Sequence, residues 1–317
     1  TAHLQKYEAM PQDSQPVGKN QEGIMPPAET LPLARYYLGL TYQQQRKFPE
    51  AIAVWQEFLQ KYPSHSQWSE AQRQIIETEL LIAETHFEEK RYDAARAAWE
   101  QFLSSRPLDP RTPEIMRRIG DTFEQQERFQ DAIAQWKRTV SKYPQTEPAS
   151  QAQFDIGRLL ETKLLRVQDA YDAYKLVTWG ARASAAQERM NEMQAKRLDV
   201  VTERVFRSNE TPMLKVTTRN IEKLTFKMYN VDLATYFRKT QTTEGVDKLD
   251  IALIDPDLTW QETIAGYEKY RKFENQFAMK FSAPGAYLVT CSEESAEKTT
   301  GYEATTFVLV SDLDVIA

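Results

Sequence analysis

Few side chains in this sequence could do chemistry. There is one thiol, Cys291, and there are three imidazoles, His3, His65 and His86. A single cysteine cannot form an internal disulfide. The histidines are scattered, without the short spacings by which a zinc site gathers its ligands. Cys291 continues an alternation with Tyr287 and Val289, which predicts a strand with the thiol on its buried side, and the acidic pair Glu293-Glu294 follows. Burial and nearby negative charge both raise a thiol's pKa, so Cys291 is expected to be an inert core residue. Asp255-Pro256-Asp257 and Asp312-Leu313-Asp314 bring carboxylates together, but turns and strand ends use aspartate to bond their own backbone, and no metal site is expected there. The 10 glycines form no phosphate-cradling loop. Asn209-Glu210-Thr211 has the form of a glycosylation acceptor, with Pro212 directly after it. No nucleophile–base pair stands out. The sequence thus predicts no catalytic residue, no metal and no cofactor, and a binding or structural role rather than an enzyme.

The bulk properties point the same way. The chain has 317 residues, 41% apolar and 27% charged, which suits an ordinary two-domain globular protein. A net charge of −6 repels phosphate backbones, so nucleic acid is not an expected partner. No apolar run reaches the roughly 18 residues that a membrane span needs. The last residues follow a strongly apolar run, Phe307-Val308-Leu309-Val310, and this reads as an excerpt from a longer protein.

What must position any binding residues is a repeat. Three segments align on a small residue, an alanine, a tryptophan and a proline: Gly39, Ala51, Trp55, Pro63; then Ala83, Ala95, Trp99, Pro107; then Gly120, Ala132, Trp136, Pro144. Small residue to alanine is 12 residues each time, and alanine to proline is again 12. The physics accounts for the residue types. The small residues allow two helices to cross closely, each tryptophan lies one turn beyond its alanine on the same face, and each proline ends its helix. The three tryptophans are therefore expected in the core. A degenerate fourth copy keeps Gly157, Ala170 and Tyr174, as terminal repeats often do. The second repeat is longer, with a helix expected to open at Ser69 through a capping box with Gln72; the third opens at Thr112-Pro113, read as an N-cap followed by proline. Leu4-Gln5-Lys6-Tyr7 matches Leu59-Gln60-Lys61-Tyr62 and could end an earlier repeat, while Pro11 to Pro27 reads as a polar loop.

This pattern resembles the tetratricopeptide repeat over residues 30 to about 180. The resemblance implies a helical solenoid whose first helices line a concave face. On that face it places Tyr36, Gln43, Glu77, Glu84, Arg117, Asp121, Glu124, Phe154 and Arg158, a mixture of both charges and two aromatics that a protein or peptide partner could occupy, or that could simply be a solvated face of i,i+4 pairs such as Arg117 with Asp121.

After a helical stretch read as running from about Ala183 to Val205, the period drops to two. Leu214, Val216, Thr218; Leu224, Phe226, Met228; Leu249, Ile251, Leu253; Phe277, Met279, Phe281; Tyr287, Val289, Cys291; and Thr305 to Val310 predict an antiparallel β-sandwich. The expected division is a loop at 1–27, repeats with a long terminal helix at 28–205, and a sandwich at 206–317.

Within 206–317, Val216 to Asn220, Leu224 to Asp232, Tyr267 to Tyr270, Ala283 to Val289 and Thr305 to Asp314 together resemble the first macroglobulin domain of bacterial alpha-2-macroglobulin-like proteins. The resemblance implies an immunoglobulin-like sandwich and an extracytoplasmic place, in periplasm, outer envelope or medium. It also implies further macroglobulin domains in the parent chain, and a non-catalytic segment of a protease inhibitor in which the repeats serve as spacer or adaptor. That family's thioester uses Cys-x-Glu-Gln, whereas Cys291-Ser292-Glu293-Glu294 ends in an unactivated carboxylate, so no thioester is expected here. The alternative reading is an envelope assembly scaffold with no part in protease inhibition.

Overall fold

The computed structural model describes residues 19–20, 23–24, 27–202, 205–241, 251, 254–280, 283–293 and 302–312. The chain separates into two compact units, residues 1–152 and 153–317. The expectation for Leu4 to Tyr7 lies outside the described residues, as does that for 11–27, apart from a two-residue antiparallel ladder of Lys19–Asn20 with Gly23–Ile24 and the first residue of the first helix.

The first unit is made of paired antiparallel helices: α1 Pro27–Gln44, α2 Phe48–Lys61, α3 Trp68–Glu88, α4 Tyr92–Ser105, α5 Thr112–Gln125 and α6 Phe129–Lys142. The start of α7, Glu147–Thr162, completes it. As the spacing predicts, Ala51, Ala95, Ala132, Trp55, Trp99 and Trp136 are fully buried. Trp55 packs with Tyr36, Phe58, Ala71 and Ile75. Trp99 packs with Ala83, Phe102, Ile115 and Ile119.

The turns inside each pair share one backbone device. Arg46, Lys90 and Glu127 all have φ near +60°. The next residue's N–H reaches back to close the helix end, Lys47 to Tyr42 O at 2.9 Å, Arg91 to His86 O at 2.8 Å and Arg128 to Phe123 O at 2.9 Å. That is the Schellman closure, which normally selects glycine at the left-handed position. Here long polar side chains hold it, so no glycine announced it in the sequence.

Two helix starts differ from expectation. α3 opens at Trp68 with Gln67 as N-cap and no side-chain cap bond, so the Ser69–Gln72 capping box does not form. Instead His65 Nδ1 accepts the Gln67 N–H at 3.1 Å, and this turn places the N-cap two residues before Ser69. α5 opens with Arg111 as N-cap and Thr112 already inside the helix. Asp109 accepts the Arg111 N–H at 2.9 Å and fixes the approach.

The second unit begins with the rest of α7, followed by α8 Val167–Lys175 and α9 Ala183–Gln194. The helical stretch expected to reach Val205 stops at Gln194, because Ala195 turns extended at ψ 127°. Arg197–Val201 is strand β1, with Leu198 and Val200 buried on one side. The sheet region therefore starts before the expected 205/206 boundary. Five residues with β-branched Val200 and Val201 are too short a run to override a helical prior.

Six further strands follow: β2 Met213–Arg219, β3 Lys223–Asn230, β4 Leu258–Thr263, β5 Lys272–Ala278, β6 Gly285–Glu293 and β7 Glu303–Val310. They form two antiparallel sheets, one ordered β1-β2-β5 and one ordered β4-β3-β6-β7. Both sheets contribute to one apolar cluster: Leu198, Leu214 and Val216 from the first, and Leu224, Phe226, Trp260, Tyr287, Val289, Cys291 and Val308 from the second. Thr202 and Phe206 tie the first sheet's exit to β7, through Thr202 Oγ1 to Phe307 O at 2.8 Å and Phe206 N to Leu309 O at 2.9 Å.

The alternations at β2, β3 and β7 match the reading of the sequence, whereas β6 is buried on both faces from Ala286 to Cys291. β5 ends at Ala278, so Met279 lies just past it and Phe281 lies outside the described residues. Leu249 and Leu253 also lie outside them, and Ile251 is in no strand. The reading missed β4, whose single buried Trp260 gives no period. It also missed helix α10, Leu233–Thr240, which Asp232 caps by accepting the Thr235 N–H at 3.0 Å.

Candidate interaction face of the repeat helices

In each repeat the small residue sets a register for the first helix. The residue three positions before it turns toward the second helix. Tyr36 is buried against Phe58, with ring centroids 6.2 Å apart, and is core rather than contact surface. Phe154 is half-buried and packs on Tyr174 at 5.3 Å. Arg117, at the same register in α5, keeps only 15% of its side chain exposed and is held by Glu114 at 2.7 Å and Asp121 at 3.0 Å. One residue on, a rotation of about 100° turns the side chain outward. Tyr37 is 59% exposed and Leu81 is 40% exposed. Arg118 holds the third place in this register but lies over the Trp99 ring, 26% exposed and bound to Glu84. In α1 the exposed residue is Tyr37, one after the Tyr36 named from the sequence, and the offset of two from Gly39 and Ala83 marks the register it shares with Leu81.

The remaining candidates stitch first helices together. Gln43 Nε2 donates to Thr78 Oγ1 at 2.8 Å, joining α1 to α3. Glu77 pairs with Arg111 at 2.8 Å, and Glu84 pairs with Arg118, joining α3 to α5. Asp121 serves twice, bonding Arg117 and accepting from Trp136 Nε1 at 3.2 Å. Glu124 is half-buried on α5. Arg158, in the second unit, pairs with Asp155 at 3.2 Å. The structure thus gathers Gln43, Glu77, Glu84, Arg117 and Asp121 into a ladder of polar contacts, with Tyr37 and Leu81 as exposed apolar points beside it. Leu81 sits between Glu77 and Glu84 on one helix face.

The electrostatics are those of paired groups. The Arg111 guanidinium holds the Asp109 carboxyl below its ordinary value of 3.8, against the opposing effect of burial. Burial, with Glu161 beside it, raises the Tyr174 hydroxyl, and that hydroxyl donates to Glu161 at 3.0 Å. Arg96 went unnoticed in the sequence because arginine is rarely buried. It bonds Asp93, Thr122 Oγ1 at 2.8 Å and Gln126 at 2.8 Å, over the Phe123 ring at 4.3 Å. A groove of about 290 Å³ between α2, α3 and α4 is lined by Ile52, Ile82, Phe102 and Glu79, whose carboxylate is ion-paired to Arg106.

The groups that could have carried chemistry are placed elsewhere. Cys291 is fully buried in β6, and burial, with Glu303 nearby, pushes its thiol up to about 12. Glu294 lies outside the described residues. Asp257 accepts the Asn230 N–H at 2.6 Å, and Asp312 accepts from Ser208 N at 2.9 Å, so both carboxylates bond backbone. Among the described residues, no three His, Cys, Asp or Glu side chains gather as a metal would require. No described helix is long and apolar enough to cross a membrane.

Tetratricopeptide repeat families match residues 33–65, 80–145 and 117–186. Among solved structures, a crystal structure of MamA aligns at 18% identity over 44% of this chain and 72% of that one, with a TM-score of 0.29. MamA from Desulfovibrio magneticus RS-1 aligns at 16% identity over 46% and 73%, with a TM-score of 0.28. A tetratricopeptide repeat protein from Parabacteroides merdae aligns at 11% identity over 50% and 60%, with a TM-score of 0.32. No curated protein matches the chain. None of these findings carries the macroglobulin resemblance of residues 206–317. The buried tryptophans, the close helix crossings and the family matches agree that this chain carries tetratricopeptide repeats.

Proposed function

We propose that this chain is a non-catalytic scaffold or adaptor whose repeat helices hold a protein partner on the face marked by Tyr37, Leu81 and Arg118. One observation carries the reading. The repeats bury all three tryptophans, yet leave Tyr37 and Leu81 exposed at the same register of successive first helices. An apolar point set among paired charges gives a peptide both a place to anchor and a means of alignment. The antiparallel sheets would then present a second surface or a spacer; an immunoglobulin-like or macroglobulin-like sandwich, entered at Arg197 rather than near residue 206, remains part of this proposal. So does an extracytoplasmic location. The protease-inhibitor reading has only the sequence resemblance behind it, and the scaffold is preferred.

The test is site-specific photo-crosslinking in the native cell. A photoreactive residue at Tyr37 or at Leu81 should yield adducts with one and the same protein. A control at Leu108, 95% exposed between α4 and α5, should not. Equal adducts at all three positions, or none at 37 and 81, would overturn the assignment of the face.

A further inference from the structure

The end of the repeat array meets the sheets at one junction, centred on Asn220. Asn220 lies in the β2–β3 turn with φ 58°. Its Nδ2 donates to Met193 O at 2.7 Å and to Ala195 O at 3.3 Å, and its Oδ1 accepts the Tyr270 N–H at 2.7 Å. Arg219 adds a bond from Nε to Ala195 O at 3.0 Å. These acceptors sit at the C-terminus of α9, where the last carbonyls have no partner within the helix and must be capped from outside. Tyr270 is itself in a left-handed conformation, φ 71°, rare for a bulky residue, and its ring stacks on Tyr171 of α8 at 4.4 Å and 22°. Gln194 bonds the Tyr171 hydroxyl, and Lys196 pairs with Glu293 of β6 at 2.6 Å. Contacts from α8, from the end of α9 and from both sheets thus converge within a few residues.

We propose that the sheet module closes the repeat array in the place of a further repeat, and that Asn220 is the latch. A helical array needs a terminal element to cover the apolar side of its last helix pair. Here the β2–β3 turn caps the end of α9 and the strand entry at Tyr270 stacks on Tyr171 of α8, so that these helices and the sheets act as one body. The geometry favours a latch over a passive contact: one amide spans two segments distant in sequence and uses its donor and its acceptor at once. In a scaffold this fixes the direction in which the sheets leave the last repeat. The inference does not depend on which partner the repeats bind.

Hydrogen exchange on the full chain tests it. Asn220→Gly keeps the left-handed turn available and removes only the side-chain bonds. It should speed exchange of α9 and of residues 270–272 by on the order of tenfold or more, since the side-chain bonds to Met193 O, Ala195 O and Tyr270 N are lost together. The β3 and β6 amides should keep wild-type protection. Tyr171→Leu approaches the same junction from α8, with no role in the turn, and should loosen the same segments; if Asn220→Gly does not fold, it decides alone. Unchanged α9 protection in the variants, or uniform loosening of every sheet amide, would overturn the latch.

Discussion

In the repeats centred on Gly39 and Gly120, the tryptophan of the second helix lies on bare backbone. Trp55 Nε1 donates to Tyr36 O at 3.2 Å, and Trp136 Nε1 donates to Arg117 O at 3.2 Å, each the carbonyl three residues before the glycine. A Cβ on either glycine would stand 2.3 Å from that nitrogen. In the repeat centred on Ala83 a methyl occupies this place. Trp99 is just as buried, but its Nε1 finds no hydrogen-bond partner among the described residues. In compensation, the Arg118 guanidinium stands 4.9 Å over the Trp99 ring and 5.3 Å over Phe87, while bound to Glu84. The same packing problem leaves the indole N–H bonded in two repeats and unbonded beneath a stacked cation in the third. The difference explains why a repeat motif tolerates either small residue while the surroundings change.

The largest effect should come from forcing one solution onto the other. Gly120→Ala or Gly39→Ala drives a methyl into an indole that has nowhere to go, and overpacking of this kind costs about 1–3 kcal/mol, to which loss of the buried indole bond adds about 1 kcal/mol. The reverse change, Ala83→Gly, should cost no more than about 1 kcal/mol, the ordinary glycine penalty in a helix, because Trp99 then gains a carbonyl to reach. Urea melts of the three variants check this. If Gly120→Ala and Ala83→Gly cost the same, the two repeats do not differ in the way their geometry indicates.

Next in size is the cation. Arg118→Leu removes the guanidinium from Trp99 and Phe87 and leaves Glu84 unpaired, and should cost about 1–2 kcal/mol. No described arginine or lysine stands over Trp55 or Trp136, so removing Arg73, which is paired with Glu70 on the surface, should shift the melt far less. Equal losses would mean that Arg118 acts only as a surface ion-pair partner.

The glycine–alanine contrast also shows what could be read in the sequence. The spacing of small residue, alanine, tryptophan and proline fixed the helix pairs, because each type answers a steric demand made by its own neighbours in the chain. The alternations of β2, β3 and β7 were legible for the same reason. Features set by distant residues were not. β1 was hidden because five residues carry too little period, and β4 because only Trp260 of its six residues is buried. Arg96 depends on Thr122 and Gln126, which lie in the next repeat.

Acid should separate the repeats further. Asp109 joins the alanine repeat to the next one, bonding the Arg111 N–H and guanidinium, and Arg111 in turn bonds Glu77. Its folded pKa lies below the ordinary 3.8, so its contribution to stability is present above that value and is lost as pH falls through the depressed one. Lowering the pH below about 4 should loosen α3–α5 more in wild type than in Asp109→Asn, which has already lost the charge and about 1 kcal/mol with it. Parallel acid profiles for the two would remove Asp109 from the account.

The smallest effect tests what the two kinds of repeat share. Lys90 closes the first helix of the alanine repeat at φ 60°, and Glu127 closes that of a glycine repeat at φ 58°. A side chain in this region costs about 1–2 kcal/mol relative to the usual helical basin, and glycine recovers part of this, less the entropy it adds to the unfolded chain. Lys90→Gly and Glu127→Gly should therefore each stabilise by roughly 0.5 kcal/mol, and by the same amount. The Schellman bonds of the two turns, at 2.8 and 2.9 Å, are alike, and neither turn includes the small residue or the tryptophan. A gain in one repeat and not in the other would show that the indole's arrangement is felt at the helix end, which would couple two features that the geometry keeps apart.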